Sequence, residues 1–179
     1  MPRRLKVAYT GRREIGRRCR AMLDDVEFAP FSRAEIGFSV VGTRIFSAEE
    51  IAAVPLGIVN LHLAPLPRYR GRYSFTHAIL AGDAYFGVTL HYIDEGLDTG
   101  PVIADRVFPI KPTDTAWSLY LRAQREGTEL FRDLSRTILA YARIGQRVWS
   151  HPQDESKAQY FDRFSLPESS SNARALAWR

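Results

Sequence analysis

Near the N-terminus, Leu5-Lys6-Val7-Ala8-Tyr9 reads as a short strand, Thr10-Gly11 as a turn, and residues 13 to 23 as a helix. Ile15, Cys19, Met22 and Leu23 fall on one face of that helix at α-helical spacing. A strand handed through a glycine turn to an amphipathic helix is how an α/β layer begins, because both elements must bury one face against a common core. The pattern continues. Val26-Glu27-Phe28-Ala29 reads as a second short strand and Phe38-Ser39-Val40-Val41-Gly42 as a buried one. Ser47, with Glu50 three residues on, marks a capped helix that Pro55 stops.

The next strand, Gly57-Ile58-Val59-Asn60-Leu61-His62, is apolar except for Asn60 and His62. Those two stand at i and i+2, so a strand sends both side chains to the same face. Polar groups at the end of a buried strand cost free energy unless they are paired, which points to use or to a satisfied hydrogen-bonding pair. Pro65 and Pro67 end the strand, and Arg68-Tyr69-Arg70-Gly71 forms a loop. A helix spans about residues 74 to 80 and closes at Gly82. Residues 87 to 93 alternate as a strand, followed by the acidic loop Asp94-Glu95-Gly96-Leu97-Asp98-Thr99-Gly100 and a strand over 102 to 108. Thr113 or Asp114 is expected to cap the longest helix, over about 115 to 142, with Gly127 placed to kink or split it.

Composition narrows the class. A 179-residue chain with 45% hydrophobic and 12% aromatic residues can bury a core without staples. Cys19 is the single cysteine, so no disulfide forms within one chain, and no cysteine or histidine pair has the spacing of a metal site. There is no apolar run of about 18 residues and no secretory leader, so a cytoplasmic location and no membrane association are expected. The net charge of +5 suggests nucleic acid until its distribution is read. Eight of the 25 basic side chains and one of the 20 acidic ones fall in the first 20 residues; the other 159 carry 17 and 19. The excess is therefore one basic first helix. It is either a solvated face or, at Arg12 and Arg13, a place where a phosphate could dock.

The ordered set Asn60-x-His62, then Pro-x-Tyr-Arg-Gly, then the run from Gly87 through Asp98 to Gly100 resembles the catalytic core of the formyltransferases that use 10-formyltetrahydrofolate. That family includes glycinamide ribonucleotide, methionyl-tRNA and nucleotide-sugar N-formyltransferases. The likeness covers roughly residues 38 to 125. It implies a compact α/β, Rossmann-like domain with a mainly parallel sheet flanked by helices, over residues 1–150, followed by a C-terminal extension, 151–179, with a mobile end. It implies Asn60, His62 and Asp98 as catalytic residues. Asn60 would donate to the oxyanion that develops when an amine attacks the formyl carbon. His62 would stabilise that charge or move a proton, and Asp98 would orient His62 and act through a water. Arg44, Ile45, Phe46, Tyr92, Ile93, Asp94, Gly96 and Asp98 would flank the folate, the acidic loop mostly through its backbone. Thr10, Gly11, Arg12, Arg13 and Arg70 would face the acceptor.

The chain departs from the family pattern in two ways. Its N-terminal half is short, by about one βα unit between Val26 and Ile36. The strand continues into Leu63-Ala64-Pro65-Leu66-Pro67, more like some amino-sugar formyltransferases than the usual Ser-Leu-Leu-Pro form. The length leaves no room for the tRNA-holding domain of methionyl-tRNA formyltransferases. A small-molecule amine is therefore expected as acceptor rather than tRNA, with an amino sugar on a nucleotide carrier preferred and glycinamide ribonucleotide or another small amine open. A non-catalytic folate- or nucleotide-binding homologue and a homodimer are both left open.

Overall fold

The computed structural model describes residues 3–162. Six strands form one sheet: β1 (Leu5–Gly11), β2 (Val26–Phe28), β3 (Ile36–Val40), β4 (Ile58–His62), β6 (Tyr85–Tyr92) and β7 (Val102–Pro109), in the order β2-β1-β3-β4-β6-β7. The first four run parallel, and β6 and β7 are antiparallel to their neighbours. Helices α1 (Arg13–Arg20) and α2 (Ala48–Ala52) lie in the crossovers of the parallel part. A two-residue strand, β5 (Arg70–Gly71), pairs with β8 (Tyr160–Phe161) in a separate small sheet. The remaining helices are α3 (Ser74–Ala81) and α4 (Ala116–Arg143). The mobile end expected for the C-terminal extension falls on residues outside the described ones.

Between β2 and β3, where the sequence leads one to expect a missing βα unit, stands a single 3-10 turn, Phe31–Arg33. A strand as brief as β2 needs little chain to return to the start of the next parallel strand, so the turn suffices.

The α2 start carries the reciprocal cap read from the sequence: Glu50 N–H donates to Ser47 Oγ at 3.2 Å, and Ser47 N–H to the Glu50 carboxylate at 3.0 Å. The start of α4 differs from expectation. Thr115 is the cap and exchanges the same pair of bonds with Ser118. Asp114 is instead buried, which pushes its pKa up, but the Lys111 N–H at 2.7 Å and then Arg122, 2.7 and 2.8 Å away, hold its carboxyl below the usual range.

Gly127 neither kinks nor splits α4, which runs unbroken for 28 residues. Its missing side chain serves packing. A Cβ there would stand 2.8 Å from Leu63 Cδ2 and 3.3 Å from Leu61 Cδ2, so α4 lies directly on the end of β4.

Alternation along β4 then sorts the interior. Val59 and Leu61 point into the main core, shared with Phe38, Phe131, Leu130 and Ile138. Ile58 points to the other face, into a small cluster with Phe46 and Val54. Asn60 and His62 continue the Ile58 face beyond the cover of α2, where the sheet opens into a cleft.

Candidate active site

The cleft has a volume of about 830 Å³, and Asn60, His62 and Asp98 all border it. The antiparallel register sets Asn60 opposite His91 and His62 opposite Thr89. Asn60 Nδ2 lies 3.0 Å from His91 Nε2, and His91 Nδ1 lies 2.8 Å from the Tyr92 carbonyl. A carbonyl only accepts, so Nδ1 carries the proton and Nε2 offers its lone pair to the Asn60 amide. Burial, with the neighbouring His62 adding to it, pulls the His91 pKa down to about 4. The ring is therefore neutral near pH 7, as this pairing requires. One amide proton of Asn60 is engaged and its side chain cannot flip; the second proton remains for a group in the cleft.

His62 is fixed by the same logic. Its Nε2 lies 2.8 Å from the Tyr69 carbonyl, so Nε2–H donates there. Its Nδ1 then faces Asp98 Oδ2 at 3.7 Å, with both side chains mostly buried. A proton taken up on Nδ1 would lie against the Asp98 carboxylate. Asp98 sits in the loop between β6 and β7 with φ at +55°, a left-handed conformation uncommon for a residue with a side chain. Its Oδ2 accepts the Gly71 N–H at 2.9 Å, and its Oδ1 is 3.8 Å from His91 Nε2.

One wall is apolar. Phe46, Ile45, Ile93 and Leu97 line it together with Arg44. Phe46 stands edge-on to Phe31 at 4.9 Å. The Arg44 guanidinium lies over both rings, 5.1 and 4.6 Å from their centres, while pairing with Glu50. Asp94 turns inward on its own loop and accepts from Gly96 N–H and Thr99 Oγ–H. Its carboxylate closes the turn. An apolar wall beside a peptide loop is suited to a flat heteroaromatic ring that reads backbone groups, so the lining fits a pterin.

Arg12 donates to Thr43 Oγ1 at 2.9 Å and Arg13 to Tyr120 Oη at 2.7 Å, and both arginines border the cleft. Arg72 and Tyr73 border it as well.

Four residues expected at the site stand elsewhere. Tyr92 is buried and does not border the cleft. It follows His91 on a strand, so it points to the opposite face, where Arg147 covers its ring at 5.2 Å. Thr10 lines a separate hollow with Tyr9 and Phe31. Gly11 packs its backbone against Gly16. Arg70 is fully buried and bonded to Gln153, Glu155 and Tyr160, so no acceptor can reach it. Conversely, sequence reasoning missed His91 as a partner of Asn60, and missed Tyr120, Phe161 and Asp162 at the cleft. The signal for His91 was its place on a strand face; what it lacked was the register.

Residues 32–134 match the sequence model of the formyl transferase family. The chain belongs to that family. A methionyl-tRNA formyltransferase from Halorhodospira halophila is 41% identical over 113 residues, covering 63% of this chain and 35% of its own. The chain spans 33–39% of the length of three of the curated relatives it matches in sequence. Among solved structures, an N-formyltransferase from Helicobacter canadensis, crystallised with folinic acid and dTDP-3-aminofucose, superposes with a TM-score of 0.75 at 23% identity, over 91% of this chain and 72% of its own. A 4-N formyltransferase from Francisella tularensis gives 0.78 at 17%, over 97% and 85%. At these identities the structures bear on the fold: a Rossmann-like formyltransferase sheet flanked by helices. Among the described residues, no helix is long and apolar enough to cross a membrane.

Proposed function

We propose that the protein transfers a formyl group from 10-formyltetrahydrofolate to a primary amine, with Asn60, His62 and Asp98 carrying the reaction. The observation that carries this reading is the meeting of the three in one cleft, with His62 Nδ1 3.7 Å from Asp98 Oδ2 and the Asn60 amide pinned by His91. Asn60 directs its free N–H at the oxygen on which negative charge develops; removing one such donor typically costs about 10²–10³ in rate. His62 takes on Nδ1 the proton that the attacking amine gives up, the Asp98 carboxylate stabilises the resulting imidazolium, and His62 returns the proton to N10 as tetrahydrofolate leaves. Phe46, Ile93 and the backbone of residues 94–98 hold the donor's ring, while Arg44 caps that wall.

The acceptor we favour is an amino sugar on a nucleotide carrier. Arg12, Arg13 and Arg72 bring cationic groups to the border of the cleft, matching a diphosphate. Methionyl-tRNA is a second reading, favoured by the sequence relatives, which are methionyl-tRNA formyltransferases at up to 41% identity. A screen of nucleotide-linked amino sugars, glycinamide ribonucleotide and methionyl-tRNA with 10-formyltetrahydrofolate, read by mass spectrometry of formylated product, separates these. Asn60→Ala, His62→Ala and Asp98→Ala should each abolish product in folded protein. Binding of folinic acid without transfer to any amine would indicate a binding homologue, and near-wild-type turnover in all three variants would overturn the site.

A further inference from the structure

Asp98 does not hold its left-handed backbone unaided. The side-chain amide of Gln153 donates to the Asp98 carbonyl at 2.9 Å and to the Gly100 carbonyl at 2.8 Å, clasping the loop on both sides of Thr99. The orientation of that amide is set from behind. Gln153 Oε1 accepts from Arg70 Nε at 3.1 Å and from Nη2 at 2.8 Å, which forces its NH₂ toward the loop. Arg70 in turn sends Nη1 and Nη2 to Glu155 at 2.9 and 2.6 Å, and Nη1 also to Tyr160 Oη at 2.6 Å. Those five bonds match the five N–H donors of a guanidinium, on a side chain with no exposed surface.

The backbone of the same strand grips the Asp98 side chain. Gly71 N–H donates to Asp98 Oδ2. Gly71 has φ at +89°, and a Cβ there would lie 2.3 Å from the Phe161 carbonyl, so only glycine allows β5 to seat against β8. Arg70 N–H and Arg72 N–H complete that seating on the carbonyls of Gln159 and Phe161, at 2.9 and 2.8 Å. Two routes thus run from the segment 153–161 to Asp98: one to its carbonyl and one to its carboxylate. Gln153 and β8 both lie outside the residues matched by the family's sequence model.

We propose that Arg70 and Gln153 are positioning residues, which hold Asp98 at the distance and angle from His62 that transfer requires. The segment 153–161 is then a working part of the catalytic apparatus rather than an appended tail. A fully buried guanidinium is a poor way to gain stability alone, because desolvating the ion offsets much of its attraction to Glu155. Its use here is geometric: a rigid planar fork fixes one amide, and that amide fixes one loop.

The inference about rate rests on the formyl-transfer reading, and the test separates the two. Gln153→Glu keeps acceptor oxygens for Arg70 and replaces the two loop-facing N–H donors with an oxygen. In the full chain, with an acceptor found as above, kcat should fall about 10- to 100-fold, while KM for the formyl donor and affinity for folinic acid stay within about threefold. In an Asp98→Asn background, measured by single turnover, the same change should have no further effect, because it acts through Asp98. Amide hydrogen exchange in a peptide covering residues 94–100 should speed up at least about tenfold in the variant. Gln153→Met, of similar length and without donors, repeats the measurement if the glutamate prevents folding. Wild-type kcat with unchanged exchange overturns the proposal, and so does a loss of rate that adds fully to that of Asp98→Asn. If the wild type neither binds folinic acid nor formylates any amine, the formyl-transfer reading fails. Exchange in residues 94–100 then decides the clasp by itself, and no acceleration refutes it.

Discussion

The side-chain nitrogen of Asn60 stands 3.0 Å from Nε2 of His91, across the antiparallel pairing of β4 with β6. An amide on a strand end can otherwise turn over and present its oxygen to the cleft, where it would repel an oxyanion. His91 removes that option because its only available lone pair demands an N–H. His91→Phe should therefore reduce kcat by roughly tenfold or more, equivalent to about 1.4 kcal/mol, while folinic acid binding stays near wild type. His91→Gln, which can still present an acceptor, should recover part of the loss. Steady-state kinetics and calorimetry on the two variants check this, and equal wild-type turnover in both would remove His91 from the argument.

The neutral state of His91 also makes stability depend on pH. Burial holds its pKa near 4 in the folded chain, against 6.5 when unfolded. Between those values the unfolded chain binds a proton that the folded one refuses. Stability is thus complete above about pH 6.5 and declines as pH falls toward 4, by at most about 1.4 kcal/mol per pH unit from this group. Urea denaturation at about pH 7.5, 6 and 5 should show a steeper loss for the wild type than for His91→Gln. Parallel slopes in the two proteins would contradict a buried neutral imidazole.

Much of this arrangement is legible along the chain because it is local. The Ser47–Glu50 cap, the alternation of Ile58, Asn60 and His62, and the turn chemistry of Asp94 each involve residues within a few positions of one another. What escapes is long-range register. His91 and Tyr92 are neighbours in sequence, and only the pairing with β4 decides which one faces Asn60. Arg70 reads as a loop arginine facing the acceptor, since its partners Gln153, Glu155 and Tyr160 lie 83 to 90 residues away and look like tail. Gly127 reads as a helix breaker until the leucines it admits, Leu61 and Leu63, are seen beneath it.

Cys19 gives a simple test of how tightly α1 is seated. The thiol is fully buried, and burial pushes its pKa up to about 12, with Arg132 pulling weakly the other way. Only the thiolate attacks disulfides and alkylating reagents, so a protonated buried thiol should be inert. Native protein at about pH 8 should show no fast reaction with an aromatic disulfide reagent, whereas one equivalent should react in strong guanidinium. Rapid labelling of the native state would mean that α1 opens readily from β1 and α4.

Gly127 offers the sharpest test of packing. In an isolated helix, replacing glycine with a residue bearing a side chain is favourable by up to about 1 kcal/mol. Here the new Cβ would meet Leu63 Cδ2 at 2.8 Å and Leu61 at 3.3 Å, side chains themselves buried among core residues and unable to withdraw without leaving contacts unmade. Gly127→Val adds a branched side chain into that contact and should cost about 2 kcal/mol net, from overpacking that outweighs the propensity gain. For a chain of this size that is a fall in Tm of roughly 4–8 °C. The displacement would fall on the end of β4, which carries Asn60 and His62, so activity should drop along with Tm, measured at a temperature where the variant is still folded. A Tm unchanged or raised in Gly127→Val would mean that α4 does not rest on Leu61 and Leu63 as described.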